Sequence, residues 1–318
     1  MRCVVTGCAG FIGSPLSEAL VQRGHEVVGI DCFTDYYPRP AKESNLSALR
    51  LSPHFAFIEA NLLEYDLSRL LEGVDYVFHQ AAQAGVRASW GQNFSVYTEN
   101  NVLATQRLLE EAKALPIKRL VYASSSSIYG DAKELPVTEE TLPQPISPYG
   151  VTKLAAEHLC RLYWVNFRVP TVSLRYFTVY GPRQRPDMGF HKFFRALLKG
   201  DEITLYGDGS QTRSFCHVSD MVKGLMLAMD TPEAAGEIIN IGNPDEMRVI
   251  DLAARIREKT GTSSALAFEP LPADDPLQRK PDITKAMKVL GWAPRVGLDQ
   301  GLEDTIAWFS GPGRPDGR

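Results

Sequence analysis

A tyrosine and a lysine four residues apart, Tyr149 and Lys153, have the residue types and the spacing of an acid–base pair. On a helix this separation places both side chains on one face. A free phenol has a pKa of about 10, and a neighbouring cation lowers it towards the working range of a catalytic base. Ser125 lies 24 residues earlier, in a run of four serines. A hydroxyl group there can bond both the tyrosine oxygen and a substrate oxygen. Because Tyr-x-x-x-Lys is common and a serine run often forms a polar turn, the interpretation depends on the surrounding elements.

Three glycines follow an apolar segment near the start of the chain, in Val4-Val5-Thr6-Gly7-Cys8-Ala9-Gly10-Phe11-Ile12-Gly13. A strand, a glycine turn and a helix start direct backbone N–H groups and the positive end of a helix dipole towards a pyrophosphate. Gly13 allows the helix and the strand to pack closely. The spacing is one residue longer than the usual dinucleotide fingerprint. The segment predicts a dinucleotide site formed by Gly7, Gly10, Phe11, Ile12 and Gly13.

Asp31 supports this prediction, because it ends a second apolar segment, His25–Asp31. It lies roughly 20 residues after the loop, where an acid binds the adenosine ribose hydroxyls in such sites. A carboxylate at this position repels a 2′-phosphate, so NAD is favoured over NADP. The alternative interpretation is an aspartate that ends a strand for reasons of turn geometry.

The composition excludes several classes of protein. The chain has 318 residues, 44% of them hydrophobic, and a net charge of −4. We find neither an apolar run long enough to cross a bilayer nor a basic cluster suited to nucleic acid or an anionic membrane. The N-terminus enters a predicted strand at once, so we expect a cytoplasmic protein. The five cysteines are scattered without metal-ligand spacing, which predicts reduced thiols and no metal site.

Strand and helix patterns alternate through the first half of the chain, which predicts a parallel sheet covered by helices on both faces. The predicted strands are Arg2–Thr6, His25–Asp31, Phe55–Ala60, Val74–His79, Leu120–Ala123 and Thr171–Phe177. Long helices are predicted for about Asn93–Leu115 and Tyr149–Phe167. The fold class is therefore α/β, with a doubly wound, Rossmann-type sheet of six strands.

After Gly181-Pro182 the predicted elements are shorter, with strands at Ile203–Tyr206, Glu237–Gly242 and Leu266–Phe268. We expect residues 1–180 to bind NAD and residues 181–309 to form a smaller C-terminal α/β substrate-binding portion that closes over the cofactor. Some exchange of segments between the two portions is expected. Residues 310–318, rich in Gly, Pro and charge, are expected to be a flexible tail.

The glycine loop, the acid, the serines and the Tyr149/Lys153 pair occur in the order found in the extended short-chain dehydrogenases that act on nucleotide sugars. The chain resembles this family over about residues 1 to 309. Further matching stretches are Asn61-Leu62, His79-Gln80-Ala81-Ala82, Ile128-Tyr129-Gly130, Arg175 to Pro182, and Gly207-Asp208-Gly209 with Arg213-Ser214-Phe215. The resemblance implies an enzyme with tightly bound NAD, a UDP-sugar substrate and a homodimer.

The resemblance also implies roles for single residues. Ser125, Tyr149 and Lys153 would be catalytic, and Lys153 would also hold the nicotinamide ribose. Asn61 and Leu62 would flank the adenine, with Ala81 also at the cofactor. Arg213 would meet the substrate diphosphate, for which the two-pronged guanidinium is suited.

Two departures from the family pattern narrow the substrate. Sugar epimerases of the family usually have Asn after Arg-Tyr-Phe, whereas this chain has Thr178. Together with Gln83-Ala84-Gly85-Val86-Arg87 and Arg185-Pro186-Asp187-Met188, this resembles the UDP-glucuronate 4-epimerases. A sugar carboxylate needs hydroxyl donors and a cation, and Ser126, Ser127, Thr178 and Arg185 are expected to supply them, with Arg87 as a further substrate residue.

The second departure lies at Ser126-Ser127, where related 4,6-dehydratases have Asp-Glu and UDP-glucuronate decarboxylases have Glu at the second position. However, Gln278-Arg279-Lys280-Pro281-Asp282-Ile283 resembles a C-terminal motif of those decarboxylases in which the arginine faces the sugar. Decarboxylation to a UDP-pentose or its 4-keto form therefore stays open as the alternative, with UDP-glucose 4-epimerisation behind it. A non-catalytic NAD-binding regulatory domain is disfavoured, because it would not need Ser125, Tyr149 and Lys153 together.

Overall fold

A parallel sheet of seven strands forms the centre of the protein in the computed structural model, which describes residues 1–270 and 278–311. The strands are, in chain order, β1 (Arg2–Thr6), β2 (Glu26–Asp31), β3 (Phe55–Glu59), β4 (Tyr76–His79), β5 (Arg119–Ser125), β6 (Thr171–Tyr176), β7 (Val179–Tyr180), β8 (Ile203–Tyr206), β9 (Thr212–Ser214), β10 (Cys216–His217), β11 (Ile238–Ile241), β12 (Glu246–Arg248) and β13 (Leu266–Glu269). The helices are α1 (Gly13–Gln22), α2 (Arg39–Leu46), α3 (Leu67–Leu71), α4 (Phe94–Tyr97), α5 (Ala104–Ala112), α6 (Pro148–Phe167), α7 (Gly189–Lys199), α8 (Val218–Asp230), α9 (Val249–Thr260), α10 (Thr284–Leu290) and α11 (Leu298–Ser310).

The strand order of the central sheet is β3-β2-β1-β4-β5-β6-β11. After β3, at one edge, the chain crosses back to place β4 beside β1. The connections that leave β1 and β4 therefore run to opposite sides, which opens a crevice at the carboxyl ends of these two strands. In doubly wound folds ligands bind at this point.

The sheet differs from the predicted one by its seventh strand. β11 pairs in parallel with β6, and Ile239 lies opposite Leu174. Its Ile239 and Ile241 side chains are fully buried, so the strand contributes to the main core although it follows residue 180. The predicted six-strand sheet was incomplete, because the hydrophobic pattern of residues 237–242 predicts a strand without showing which strand it pairs with.

The predicted helix Asn93–Leu115 is also interrupted. It consists of α4, a π-helical turn at Thr98–Leu103, and α5. Single π-helical turns occur often beside functional sites. Here the turn brings Asn101 against the start of α6, where its amide donates to the Thr152 hydroxyl at 3.0 Å.

Helices cover both faces of the sheet. Leu16 and Leu20 of α1 pack with Leu225 of α8 in a core on one side. On the other side, Leu108 of α5 packs with Cys160 of α6. Each fully buried leucine contributes about 1.5–3 kcal/mol, so the two helix layers hold the strand ends in fixed positions.

The C-terminal portion has a core of its own, formed by α7, β8, α9 and α11. Its buried side chains are largely aromatic and aliphatic, among them Phe190, Phe194, Leu205, Leu252 and Phe309. Small two-stranded sheets, β8 with β13 and β9 with β12, complete this portion. Residues 312–318 of the expected tail lie outside the described residues. Within the ranges given above, no helix has the length and apolarity needed to cross a membrane.

Candidate active site

A cavity at the carboxyl ends of β1 and β4 contains the side chains and loop positions that the sequence assigns to the cofactor. Its lining includes Gly7, Gly10, Phe11, Ile12, Gly13, Asp31, Asn61, Leu62, Ala81, Tyr149 and Lys153. We call this the first cavity. The structure therefore brings all the predicted cofactor residues to one place.

The glycine loop leaves the start of α1 open to this cavity. The residue before the helix, Ile12, makes no side-chain hydrogen bond to the first turn, and the Ser14 N–H donates to the carbonyl oxygen of Gly10 at 3.1 Å. A Cβ added at Gly13 would lie 2.1 Å from the carbonyl oxygen of Gly7, which explains the glycine. A helix start with no side chain over it, together with the helix dipole, fits the pyrophosphate of a dinucleotide.

Asp31 lies at the other end of the first cavity, at the end of β2. Its carboxylate accepts hydrogen bonds from the N–H groups of Phe33 at 2.9 Å and Ala9 at 3.1 Å. Burial raises the pKa of Asp31, while these hydrogen bonds and the charge of Lys42 oppose the increase. A carboxylate held in this way fits a pair of ribose hydroxyls.

Tyr149 enters the first cavity from the first turn of α6. The hydroxyl of Ser147 caps this helix by accepting a hydrogen bond from the Gly150 N–H at 3.1 Å. The Tyr149 N–H donates to the hydroxyl of Ser89 at 3.1 Å, so the short turn Arg87–Ser89 is fixed against the same helix start. The position of the phenol thus depends on two backbone contacts at the helix start, one to its own N–H group and one to that of Gly150.

The pKa of the Tyr149 phenol is set by opposing effects. Burial raises its pKa, and the Arg185 charge, a hydrogen bond with Ser125 and the Arg279 charge act against burial. The hydrogen bond joins the predicted serine and tyrosine. The sequence predicts Lys153 as the cation beside the phenol, and the charges of Arg185 and Arg279 also lower its pKa.

Lys153 is itself buried, with 2% of its surface exposed. Its ammonium group lies 4.8 Å from the centre of the Tyr122 ring. Burial lowers the pKa of Lys153 to about 7, against the charges of Cys160 and Glu157. The side chain lines the first cavity together with Tyr149.

A second cavity of about 460 Å³ adjoins the first and has the size of a small-molecule site. Three predicted substrate residues, Arg87, Thr178 and Arg213, lie in its lining. The guanidinium of Arg87 stacks on the Tyr206 ring at 4.2 Å, which joins the NAD-side turn to β8. Tyr36 lines both cavities and so marks where they meet.

The other predicted substrate residues are placed less directly. Arg185 lines the first cavity together with Tyr149. Ser126 and Ser127 form a 3₁₀ turn directly after β5 and are buried, and neither is part of the lining of the two cavities within the described chain. Arg279 is half-buried, and its charge reaches Tyr149.

Several cavity residues were missed by sequence reasoning. Tyr176 and Gln80 line the first cavity and bond to each other, the phenol donating to the amide oxygen at 2.8 Å. They end or follow strands in two matching stretches, so their position was a signal. Tyr36 and Lys42 lie between β2 and β3, Lys42 on α2, and no motif identifies them.

In the part of the chain that the structure describes, no three His, Cys, Asp or Glu side chains are grouped as metal ligands.

Most of the chain matches a known protein family. The model of the NAD dependent epimerase/dehydratase family matches residues 3–242. The chain belongs to this family. The resemblance to nucleotide-sugar enzymes of the short-chain dehydrogenase type is thereby confirmed, and so is the Rossmann-type fold.

Relatives of this family match nearly the whole chain. A UDP-glucuronic acid 4-epimerase from Bacillus cereus, solved with UDP-glucuronic acid and NAD, is 44% identical and superposes with a TM-score of 0.94, covering 97% of this chain and 98% of that one. A UDP-glucuronate 4-epimerase of Thermodesulfobacterium geofontis is 36% identical, covering 96% of this chain and 95% of its own length. An uncharacterised UDP-glucose epimerase of Bacillus subtilis is 45% identical over 98% of both chains.

Proposed function

We propose that this chain interconverts UDP-glucuronate and UDP-galacturonate by epimerisation at C4 of the sugar, with tightly bound NAD. The observation that carries the proposal is Arg185 in the lining of the same cavity as Tyr149. A guanidinium beside the catalytic phenol suits a sugar that carries a carboxylate. The similarity to the Bacillus cereus 4-epimerase supports the same substrate.

The first cavity would hold the cofactor. The uncapped start of α1 would bind the pyrophosphate, Asp31 the adenosine ribose, Asn61 and Leu62 the adenine, and Lys153 the nicotinamide ribose. NAD bound there would supply a reversible hydride acceptor for C4 of the sugar. Ala81, at the end of β4, would complete the floor beneath it.

Tyr149 would remove the proton of the sugar 4-hydroxyl as C4 is oxidised, giving a 4-keto sugar. The hydrogen bond with Ser125 and the charges of Arg185 and Arg279 favour the phenolate that this step needs. After the ketone has turned over, Tyr149 would return the proton to the oxygen at C4 as C4 is reduced on its other face. The net reaction consumes no cofactor.

The 4-keto uronate is a β-keto acid and tends to lose CO₂. Loss requires the bond to the carboxylate to align with the π system of the carbonyl group, so an epimerase must hold the carboxylate near the ring plane. We assign this restraint to Arg185 and Thr178, with Ser126 and Ser127 as hydroxyl donors. The two serines are buried, and the Ser127 N–H donates to the hydroxyl of Ser125 at 3.1 Å.

The second cavity would hold the nucleotide side of the substrate. Arg87 and Arg213 line it from the two portions of the chain, and either guanidinium suits a diphosphate. We propose that residues 1–180 serve NAD and residues 181–309 serve the UDP-sugar, with β11 as the segment that returns to the sheet. The two cavities meet at Tyr36, which supports a reaction at this junction.

Decarboxylation is the second candidate, and Arg279 is the observation that favours it. The positive charge of Arg279 lowers the pKa of Tyr149, although the two residues are more than a hundred residues apart in sequence. Ser127 opposes this candidate, since the decarboxylases have a glutamate there. The site thus has a residue that favours decarboxylation, Arg279, and one that favours epimerisation, Ser127. Analysis of the products distinguishes the two reactions.

We further propose a homodimer formed through α6 and the segment from α4 to Leu103, which pack side by side. Their outer faces expose large apolar side chains, with Val151 47%, Leu162 54% and Val165 50% exposed on α6. Leu103, on the neighbouring segment, is 47% exposed. A second copy related by a two-fold axis would cover these exposed side chains with the same side chains of its own surface.

Light scattering tests the homodimer and should give twice the monomer mass. Leu162→Glu should halve this mass. Leu142→Glu, which changes a 70% exposed leucine elsewhere, should not.

A cytoplasmic location is proposed from the cysteines. All five are free thiols, and four of them are buried. Unpaired cysteines are typical of proteins in reducing compartments. A fluorescent fusion expressed in the native cell tests this, and export from the cytoplasm would contradict it.

The reaction itself is tested by incubating the protein with UDP-glucuronate and NAD and identifying the sugar product by NMR. We expect UDP-galacturonate without stoichiometric CO₂. A pentose with stoichiometric CO₂ would identify the decarboxylase instead. Turnover of UDP-glucose alone would identify a UDP-glucose 4-epimerase.

A further inference from the structure

Arg185 is held by two residues that the reaction described above does not use. Its Nε and Nη2 atoms donate to the two carboxylate oxygens of Asp187 at 3.0 and 3.1 Å. The phenol of Tyr36 donates to one of these oxygens, Oδ2, at 3.1 Å. The Tyr36 ring also lies 6.0 Å below the guanidinium. Arg185 is therefore fixed through an ion pair whose carboxylate is itself fixed.

Gly85 shows that this arrangement is fitted to the Tyr36 hydroxyl. Its φ of +100° is one that side chains rarely adopt. A Cβ added there would lie 2.0 Å from the Tyr36 oxygen. The glycine belongs to the stretch Gln83 to Arg87, which the chemistry of the site otherwise leaves unexplained. It provides the space in which the phenol reaches Asp187.

The segment that carries Tyr36 is anchored at its start, at Phe33 and Thr34. Asp31 fixes its start through the Phe33 N–H. Lys42, which is 4% exposed, donates to the Thr34 carbonyl at 2.5 Å. Both hydrogen bonds are made to backbone groups two and three residues before Tyr36, so they hold the start of the segment from which its side chain projects.

We propose that Tyr36 and Asp187 are positioning residues that orient the Arg185 guanidinium for the sugar carboxylate. The proposal rests on the proposed function. Asp187 occupies the Nε–Nη2 edge of the guanidinium, so the Nη1 hydrogens are left for a ligand in the first cavity. Tyr36 prevents the carboxylate of Asp187 from rotating, and with it the plane of the guanidinium.

This geometry selects for a carboxylate at C6 over a hydroxymethyl group. A flexible arginine would lose conformational entropy each time it binds the substrate, which would weaken the affinity, whereas an arginine that is already fixed loses little. A misaligned guanidinium would still attract the substrate but would allow its carboxylate to leave the ring plane. Loosening the pair should therefore change both the preference for UDP-glucuronate and the fate of the 4-keto intermediate.

The test compares the affinities of UDP-glucuronate and UDP-glucose, measured by calorimetry on the NAD-loaded protein. In Tyr36→Phe we expect the dissociation constant of UDP-glucuronate to rise about threefold to tenfold, with less than a twofold change for UDP-glucose. Asp187→Asn should change the same ratio further. Tyr65→Phe, which removes a tyrosine hydroxyl outside both cavities, should leave both affinities unchanged. Thermal unfolding of each variant shows whether it is folded.

The ratio of CO₂ to epimer, measured with UDP-glucuronate, is the second readout and should rise in both variants. Equal losses of affinity for the two ligands would overturn the proposal, because the pair would then only hold the cleft together. Unchanged affinities in a folded Tyr36→Phe would overturn it as well. If the wild type forms no UDP-galacturonate, the proposed function fails, while the affinity comparison still tests the pair independently of turnover.

Discussion

The carboxylate of Glu157 binds the guanidinium of Arg175 at two points, 2.7 and 3.0 Å, and neither side chain is more than 4% exposed. The pair joins α6, one turn after Lys153, to the end of β6. The hydroxyl of Ser124 donates to the same carboxylate at 2.6 Å, which brings in the end of β5. Arg175 also donates to the phenol of Tyr129 at 2.7 Å. Three of the elements that carry the reacting groups are thus connected by one buried network.

Removing one member of this pair should be costly. Glu157→Ala leaves an uncompensated charge on Arg175 in the core, and we expect a loss of about 3–5 kcal/mol in the free energy of unfolding, measured with urea. The exposed pair of Arg248 with Asp251 is the control, and Asp251→Ala should leave the unfolding midpoint unchanged. A midpoint for Glu157→Ala close to that of the wild type would show that water reaches Arg175.

The phenol of Tyr149 should be essential for turnover but not for the cofactor. Tyr149→Phe retains the ring and the backbone bond to Ser89, so we expect NAD affinity within a few-fold of wild type. The rate constant of epimerisation should fall by at least the ~100-fold of a lost general base. Tyr65→Phe serves as the control with unchanged rate. A Tyr149→Phe variant that keeps wild-type turnover would remove the phenol from its role.

Which parts of this protein the sequence could predict depends on the range of the interactions. β1 and β8 were predicted with the bounds they have, because their apolar patterns are local. The glycine loop, Asp31 and Tyr149 were placed in one site because motif order implies strand ends that meet at one edge.

The missed features depend on contacts between distant segments. Nothing local to Ile238–Ile241 shows that it extends the main sheet beside β6. Arg185 and Arg279, whose charges lower the pKa of Tyr149, lie far along the chain, whereas local spacing identifies only Lys153. Tyr36 was hidden because its partner Asp187 is 151 residues away.

Asp31 should set the cofactor preference. A 2′-phosphate beside its carboxylate suffers like-charge repulsion on the order of a kcal/mol or more, which predicts NADP binding at least several-fold weaker than NAD. In Asp31→Asn, which removes the charge and keeps the size, the two affinities should approach each other. Titration of the cofactor-free protein with both dinucleotides checks this. Equal wild-type affinities would mean that another group reads the ribose.

His79 should make the fold sensitive to acid. Its ring nitrogens bond the hydroxyls of Thr6 at 2.8 Å and Thr105 at 2.9 Å, and burial, with the charge of Lys153, lowers its pKa to about 3. The unfolded chain takes up this proton near pH 6.5, whereas the folded one does not until about pH 3. The stabilisation is therefore complete above pH 6.5 and lost as the pH falls, by up to ~1.4 kcal/mol per unit.

The urea unfolding free energy of wild type, followed across this pH range, should fall more steeply than that of His79→Gln. The exposed His158 provides the control, since His158→Gln should run parallel to wild type. Parallel curves for wild type and His79→Gln would show that this histidine is protonated in the folded state.

We expect Arg185 to determine whether the 4-keto uronate is reduced to the epimer or loses CO₂. If its guanidinium restrains the sugar carboxylate, Arg185→Ala should weaken UDP-glucuronate binding by the ~1.5–3 kcal/mol of a charge-assisted hydrogen bond. The released carboxylate can then rotate out of the ring plane, so CO₂ and a pentose should increase relative to UDP-galacturonate. Arg183→Ala is the matched control, because Arg183 binds Glu18 at 2.8 Å on α1 and should leave the ratio unchanged. If Arg185→Ala lowers the rate while the ratio of CO₂ to epimer stays that of wild type, Arg185 is not the restraint. If wild type already releases stoichiometric CO₂, the decarboxylase with Arg279 in the site replaces the epimerase.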